Sequence, residues 1–125
     1  MITKRHSLFQ SFKFAMEGIK IATKYNRNIR IHFIIAIIVL SSSFILKMTF
    51  IEIAVVSMII LLVISAEMIN TAIEEVIDLV TKDYREEAKF AKDVSAGMVL
   101  IVASGSIAIG LLIFAPHILR LFFPN

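Results

Sequence analysis

The stretch "VSAGMVLIVASGSIAIGLLIFA", residues 94–115, carries no charged side chain. It is long enough to cross the hydrocarbon core of a bilayer, which takes about 20 helical residues. The chain of 125 residues around it is 58% hydrophobic, whereas soluble domains have roughly 45–50%. This composition predicts a membrane protein, because a soluble domain of this length would need more polar surface.

Two further apolar runs precede this stretch, "IHFIIAIIVLSSSFIL" at residues 31–46 and "FIEIAVVSMIILLVISAEMIN" at residues 50–70. The later run is uncharged only between Glu52 and Glu67, and alone it could be a buried helix of a soluble protein. Three such runs in one short chain favour membrane spans.

The amino-terminal residues 7–24 have the pattern of an amphipathic helix, with Leu8, Phe12 and Ile19 on one side and Lys20 on the other. Such a helix is expected to lie on the inner leaflet. It serves there either as a simple anchor to anionic lipid or as one wall of a lipid-accessible site.

We therefore predict an all-α integral membrane protein with a single domain, residues 1–125. The predicted segments are an amphipathic surface helix at 6–28 and transmembrane helices at 30–47, 50–80 and 83–118, the last with a cytoplasmic extension. Small residues four apart in the third span, such as Ser106 and Gly110, let membrane helices approach closely. Three spans leave little interior, so oligomerisation is expected.

Membrane topology follows from the positions of lysine and arginine, because short loops rich in them stay in the cytoplasm. The segment before the first span holds seven such residues, the next turn holds Lys47 alone, and the loop from Glu74 to Asp93 holds four. The amino terminus and the long loop are therefore predicted inside, and the carboxyl terminus outside.

The stretch "AEMINTAIEEVID", residues 66–78, places acidic side chains at the end of an apolar run. On a helix, four of its side chains fall within one stripe of roughly 80°. We call these four the polar column: Glu67, Asn70, Glu74 and Asp78. Ionisable groups at membrane depth normally face a protein interior or water and mark function. The alternative is that Glu67 and Glu74 only pair with lysines or cap the span.

Two carboxylates on adjacent turns can take different tasks. Burial disfavours the charged form of the deeper one, which suits Glu67 to act as a general base. A wetter Glu74 stays ionised and suits a hard cation such as Mg²⁺. The sequence has no G-x-x-x-x-G-K-[ST] loop, and its four glycines are too scattered to form one, so phosphate binding is expected from side chains and metal.

Helix formation is expected to resume at Asp83, as an N-cap with Glu86 as its capping-box partner. Arg85, Lys89 and Lys92 then share one face. That face is either a solvated charged surface or a contact for nucleotide phosphates.

The residues "EMINTAIEEVID" (67–78), "AKD" (91–93) and "RNIRIH" (27–32) resemble the prokaryotic diacylglycerol kinase family, in particular its Gram-positive undecaprenol kinase type. The family pattern E-x-x-N-[ST]-A-I-E-x-x-[VI]-D is met in full, and the likeness extends over nearly the whole chain. It implies a homotrimer in the bacterial cell membrane, with three spans and a surface helix per subunit. Such kinases move the γ-phosphate of MgATP to a lipid hydroxyl at the cytoplasmic face.

By this resemblance, Glu67 is expected to be the catalytic base, Glu67 and Asn70 to contact the lipid substrate, and Glu74 to bind Mg²⁺. The expected nucleotide-binding residues are Asn26, Glu74, Asp83, Tyr84, Arg85, Lys92 and Asp93. The implied partners are a membrane lipid, ATP and further copies of the chain, without nucleic acid.

Asn26 stands where the family usually has a glutamate that supplies the second metal carboxylate. An amide oxygen can coordinate Mg²⁺ but lacks the charge that holds it tightly. This chain is then either a weaker kinase or one in which another residue compensates. Asn26→Glu is expected to raise activity at limiting Mg²⁺.

Undecaprenol is the leading acceptor and diacylglycerol the alternative, because both present a hydroxyl at the interface and an apolar tail in the bilayer. From other classes, a small transporter or proton-coupled channel and a non-catalytic membrane scaffold are also considered. Against transport, the polar column lies at one interface, and no matching ionisable residues are expected in the other two spans.

Overall fold

The computed structural model describes residues 7–123, and within them the chain forms four α-helices joined by short connections. They are α1 (Leu8–Tyr25), α2 (Arg27–Ile45), α3 (Phe50–Val80) and α4 (Glu86–Phe122). By length and composition, α2, α3 and α4 can each cross a membrane. The predicted all-α membrane fold is confirmed.

Capping residues determine where the first three helices begin and end. α3 spans the residues predicted for the second transmembrane helix, and its N-cap Thr49 shares a capping box with Glu52. The predicted surface helix 6–28 ends earlier, at Tyr25, because Asn26 caps both α1 and α2. Its first predicted residue lies outside the described part of the chain. α2 consequently begins at Arg27, whereas the first transmembrane helix was predicted to begin at residue 30.

The start of α4 differs from the prediction. Its N-cap is Arg85, and no side chain caps it. Asp83 lies instead in a local turn, in which its backbone N–H donates to Thr81 Oγ1 at 3.1 Å. The predicted capping box of Asp83 and Glu86 was therefore wrong, because the Thr81 hydroxyl holds Asp83 outside the helix. α4 also continues to Phe122, beyond the predicted end at residue 118.

The turn between α2 and α3 is tight. Lys47 has a left-handed backbone, with φ 52°. Its N–H donates to the Phe44 carbonyl oxygen, and the Met48 N–H donates to the Ser43 carbonyl oxygen, both at 3.1 Å. These two bonds form a Schellman motif, which satisfies the last carbonyls of α2 and reverses the chain.

α3 packs against both α2 and α4, whereas α1 contacts α2. The buried core is small, and most large apolar side chains of the three long helices are exposed. The antiparallel order places Asn26, the polar column and the start of α4 at one end of the bundle, which we call the column end. Lys47, Glu52 and the last turn of α4 lie at the opposite end, which we call the turn end.

Candidate functional site

The polar column lies on one face of α3 and becomes more exposed toward the end of the helix. Glu67 and Asn70 are buried, with 3% and 7% of their surface exposed. Glu74 is half-buried and Asp78 is exposed. The column therefore leads from the interior of the bundle to its surface.

Glu67 has one carboxylate oxygen, Oε1, that is buried without a hydrogen-bond partner among the described residues. Leaving such an atom unsatisfied costs on the order of 1–3 kcal/mol, more if it is charged, so it calls for an explanation. A cavity of about 460 Å³ lies between α2, α3 and α4, and its lining includes Ile64, one turn before Glu67. Apart from His32 and Ser106, the lining is apolar.

Asn70 is held between two helices. Its Nδ2 donates to Glu74 Oε1 at 3.1 Å, and its Oδ1 lies 2.6 Å from the Ser95 hydroxyl of α4. An ionised carboxylate can only accept, so the amide nitrogen must face Glu74 and the amide oxygen Ser95. The Ser95 hydroxyl also lies 2.9 Å from the Lys92 carbonyl oxygen, and its single proton serves one acceptor at a time.

Asn26 reaches the column from the junction of α1 and α2. Its Nδ2 donates to Thr71 Oγ1 at 2.6 Å, and the Thr71 hydroxyl donates to the carbonyl oxygen of Glu67 at 2.9 Å. The Asn26 Oδ1 accepts the N–H groups of Asn28 and Ile29 at the start of α2. Asn26 is thus close to the column, through Thr71.

Both lysines of the predicted basic face form ion pairs. Lys92 Nζ lies 2.6 Å from Asp78 Oδ1, which ties α4 to the outer end of the column. Lys89 pairs with Asp93 on its own helix. The other expected nucleotide-binding residues, Asp83, Tyr84 and Arg85, are exposed in the connection between α3 and α4.

The carboxylates of the column do not form a metal site by themselves. Residues 7–123 contain no group of three or more His, Asp or Glu side chains placed to hold a metal ion. Glu74 is half-buried and has one oxygen hydrogen-bonded to Asn70. Proteins commonly bind Mg²⁺ through one or two carboxylates together with substrate phosphates. Glu74 can therefore serve as one carboxylate ligand of a Mg²⁺ ion that also binds substrate phosphates. The described residues alone do not supply a complete set of metal ligands.

Comparison with known proteins places this arrangement in a family. The sequence profile named prokaryotic diacylglycerol kinase matches residues 13–114. The chain belongs to the prokaryotic diacylglycerol kinase family. The predicted assignment to a family of lipid kinases is confirmed.

Three relatives of this prokaryotic diacylglycerol kinase family member carry two different names. An undecaprenol kinase of Bacillus subtilis is 39% identical over 110 residues, 88% of this chain and 89% of that protein. A diacylglycerol kinase of Synechocystis sp. is 37% identical over 116 residues, 92% of this chain but 66% of that protein, just under two thirds of its length. A diacylglycerol kinase of Haemophilus influenzae is 33% identical over 94 residues, 75% of this chain and 80% of that protein. Family membership therefore leaves both acceptors open.

Sequence reasoning missed two polar residues at the column end of this family member. Ser95 is 5% exposed, and its position three residues after Lys92, on the same helix face, was a usable signal. Thr71 matched the family pattern, but nothing in the sequence showed that it would receive the Asn26 amide.

An ionisable pair at the turn end was also missed. His117 Nε2 lies 2.9 Å from Glu52 Oε1 and links the last turns of α4 to the start of α3. His117 lies just beyond the uncharged run 94–115 and pairs with Glu52, so it offers no partner to the polar column. This pair is about 22 Å along α3 from Glu67, at 1.5 Å per residue.

Proposed function

We propose that this protein is an ATP-dependent lipid kinase, which transfers the γ-phosphate of MgATP to the hydroxyl of undecaprenol at the cytoplasmic face of the bacterial cell membrane. The observation that carries the proposal is the buried, unpartnered Oε1 of Glu67, one turn from an apolar cavity. A lipid hydroxyl can donate to this oxygen while the apolar tail lies among the three long helices.

In the proposed reaction, Glu67 accepts the proton of the lipid hydroxyl while the hydroxyl oxygen attacks the γ-phosphorus of ATP. The bond between the γ-phosphorus and the β–γ bridging oxygen breaks, and ADP leaves. Asn70, held by Ser95 and Glu74, positions the acceptor beside Glu67. Phosphoryl transfer depends mainly on positioning and charge neutralisation rather than on a covalent intermediate. Glu74 would hold Mg²⁺, which would supply part of that neutralisation.

Lys92 is the basic residue best placed to meet the nucleotide. Its ammonium group lies against Asp78 at the exposed end of the column. An exposed ion pair of this kind is weak, so phosphate oxygens can compete for the lysine at little cost. Asn26, Asp83, Tyr84, Arg85 and Asp93 remain the further candidate nucleotide-binding residues.

Undecaprenol is preferred as the acceptor because the relative of that name, from Bacillus subtilis, matches this chain over 88% of its length and is itself covered over 89%. Diacylglycerol is the second candidate, because two relatives of similar identity carry that name. We also propose that the column end faces the cytoplasm and that the protein assembles as a homotrimer. The exposed apolar surfaces of α2, α3 and α4 support association within the membrane.

The test of this proposal uses the purified protein in lipid bilayers with labelled ATP, Mg²⁺ and either undecaprenol or diacylglycerol. Glu67→Gln should lower the transfer rate by at least about 100-fold, because general-base catalysis typically contributes that much or more. Nucleotide binding should be nearly unchanged.

The matched control is Glu75→Gln, which removes an exposed carboxylate of the same helix on another face. It should transfer phosphate at the unaltered rate. Absence of transfer to both lipids by the unaltered protein, or full activity of Glu67→Gln, would contradict the proposal.

A further inference from the structure

We propose that this chain takes up a divalent cation only together with nucleotide. The reason is that the uncharged Asn26 amide is an interhelical hydrogen-bonding group and not a metal ligand. The inference rests on the proposed kinase function and extends it to the order in which the site is assembled. It follows from the hydrogen bonds that Asn26 makes and from the state of the carboxylates around it.

The amide oxygen of Asn26 is already in use. It lies 2.7 Å from the Asn28 nitrogen and 3.3 Å from the Ile29 nitrogen, and it caps the first turn of α2. A carbonyl oxygen has two lone pairs, and two N–H groups occupy both. Coordination of a cation by this oxygen would therefore uncap α2.

The amide nitrogen of Asn26 is engaged as well. It donates to Thr71 Oγ1 at 2.6 Å, and Thr71 in turn donates to the carbonyl oxygen of Glu67. Arg30 Nη1 adds a second tie at the same junction, with bonds to the Thr23 and Lys24 carbonyl oxygens at 3.2 and 2.7 Å. Hydrogen bonds of Asn26 and Arg30 therefore hold the α1–α2 junction together, and the Asn26 amide holds it against α3 through Thr71.

The nearby carboxylates leave one candidate ligand. Glu67 is buried, and Asp78 is paired with Lys92. Glu74 is half-buried one turn after Thr71, the residue that Asn26 contacts, and has one oxygen bonded to Asn70. One carboxylate alone holds Mg²⁺ weakly, whereas one carboxylate with phosphate oxygens is a common Mg²⁺ site. By linkage, nucleotide must then raise the affinity for metal as much as metal raises the affinity for nucleotide.

The experiment measures Mn²⁺ that sediments with protein-containing vesicles, with and without a non-hydrolysable ATP analogue. Vesicles without protein correct for Mn²⁺ held by lipid. The unaltered protein should show a saturable site only when the analogue is present, and Glu74→Gln should remove that site. Asn26→Glu should show saturable Mn²⁺ binding without the analogue.

Two further variants make the result specific. Asn26→Asp also introduces a carboxylate, and aspartate is as good an N-cap as asparagine, so α2 should remain capped. It should likewise gain nucleotide-independent Mn²⁺ binding. Asn28→Glu adds the same charge at an exposed position two residues away and should gain none.

Saturable Mn²⁺ binding by the unaltered protein without nucleotide, as tight as in Asn26→Glu, would overturn the inference. An equal gain in Asn28→Glu would do so too. If the unaltered protein transfers phosphate to lipid but binds metal without nucleotide, the inference about metal binding is refuted and the kinase proposal stands. If it transfers no phosphate but still requires the analogue to bind Mn²⁺, the kinase proposal fails and the inference about metal binding stands.

Discussion

At the scale of single residues, the orientation of Asn70 depends on a neighbour from another helix. Ser95 is buried on α4 and is hydrogen-bonded to the Asn70 amide oxygen. This bond keeps the amide nitrogen on Glu74 and leaves Glu67 Oε1 available. Ser95 is a positioning residue, because its effect on the reaction passes through Asn70.

Ser95→Ala should lower kcat by about tenfold, because an Asn70 amide without its fixed orientation positions the acceptor less well, and about 1.4 kcal/mol of lost positioning is tenfold in rate. The KM for ATP should be unchanged, since Ser95 contacts Asn70, which the proposal places beside the lipid acceptor. Steady-state kinetics in bilayers measure both constants.

The controls separate positioning by Ser95 from a general loss of structure. Ser95→Thr keeps the hydroxyl and should restore most of the rate, and Ser104→Ala, at an exposed position of the same helix, should change nothing. In an Asn70→Ala background, Ser95→Ala should have little further effect, because the two residues act as one unit. Additive effects in this cycle would show that Ser95 does not act through Asn70.

At the scale of helices and turns, local hydrogen bonds determine where each helix begins or ends, and some of them require a strained backbone. Ser7 with Gln10 and Thr49 with Glu52 form complete capping boxes. The end of α2 instead forces Lys47 into the left-handed region, where glycine is the usual residue. The α2–α3 turn therefore stores backbone strain in an otherwise well-bonded connection.

Lys47→Gly should stabilise the protein by about 1 kcal/mol. A residue with Cβ is destabilised by roughly 1–2 kcal/mol in the left-handed conformation, and glycine avoids this cost. Part of the gain is offset, because glycine loses more conformational entropy on folding. The measurement is the midpoint of reversible unfolding in mixed micelles under increasing denaturing detergent. Lys47→Ala removes the same charge but keeps Cβ, so it should not stabilise. Equal stabilisation by both substitutions would show that the gain comes from the lost lysine side chain.

At the scale of the whole molecule, the ionisable groups of the three long helices gather at the two ends of the bundle. The column end carries the candidate site, and the turn end carries the half-buried contact between Glu52 and His117. Between them the three long helices expose mainly apolar side chains. This distribution is that of a protein surrounded by lipid or by further copies of itself.

The proposed orientation can be measured with single cysteines, because the natural chain has none. Glu87→Cys marks the column end and Phe123→Cys the turn end, and both positions are exposed. A membrane-impermeant thiol reagent should label Phe123→Cys in intact cells and Glu87→Cys only after the membrane is opened. The opposite pattern would reverse the topology, and the cysteine-free chain gives the background labelling.

The sequence by itself determined the helical membrane fold and the polar column. Both follow from features that repeat along one chain segment: long apolar runs require helices in a bilayer, and the spacing of Glu67, Asn70 and Glu74 places them on one helix face. The family likeness could also be read there, because its pattern is contiguous.

Only the tertiary structure decided which groups meet across helices. Asn26 bonds to Thr71, Ser95 contacts Asn70 and Lys92 pairs with Asp78, so these residues of different helices meet only in the folded chain. The helix break at Asn26 was also not predicted from the sequence. The periodicity of a single helix specifies a face but not the partner that packs on it, because that depends on how the helices cross and where each one ends. For the same reason, the sequence alone could not show that Glu67 has a buried oxygen without a hydrogen-bond partner. Nor could it show that both polar groups of the Asn26 amide are hydrogen-bonded within the protein.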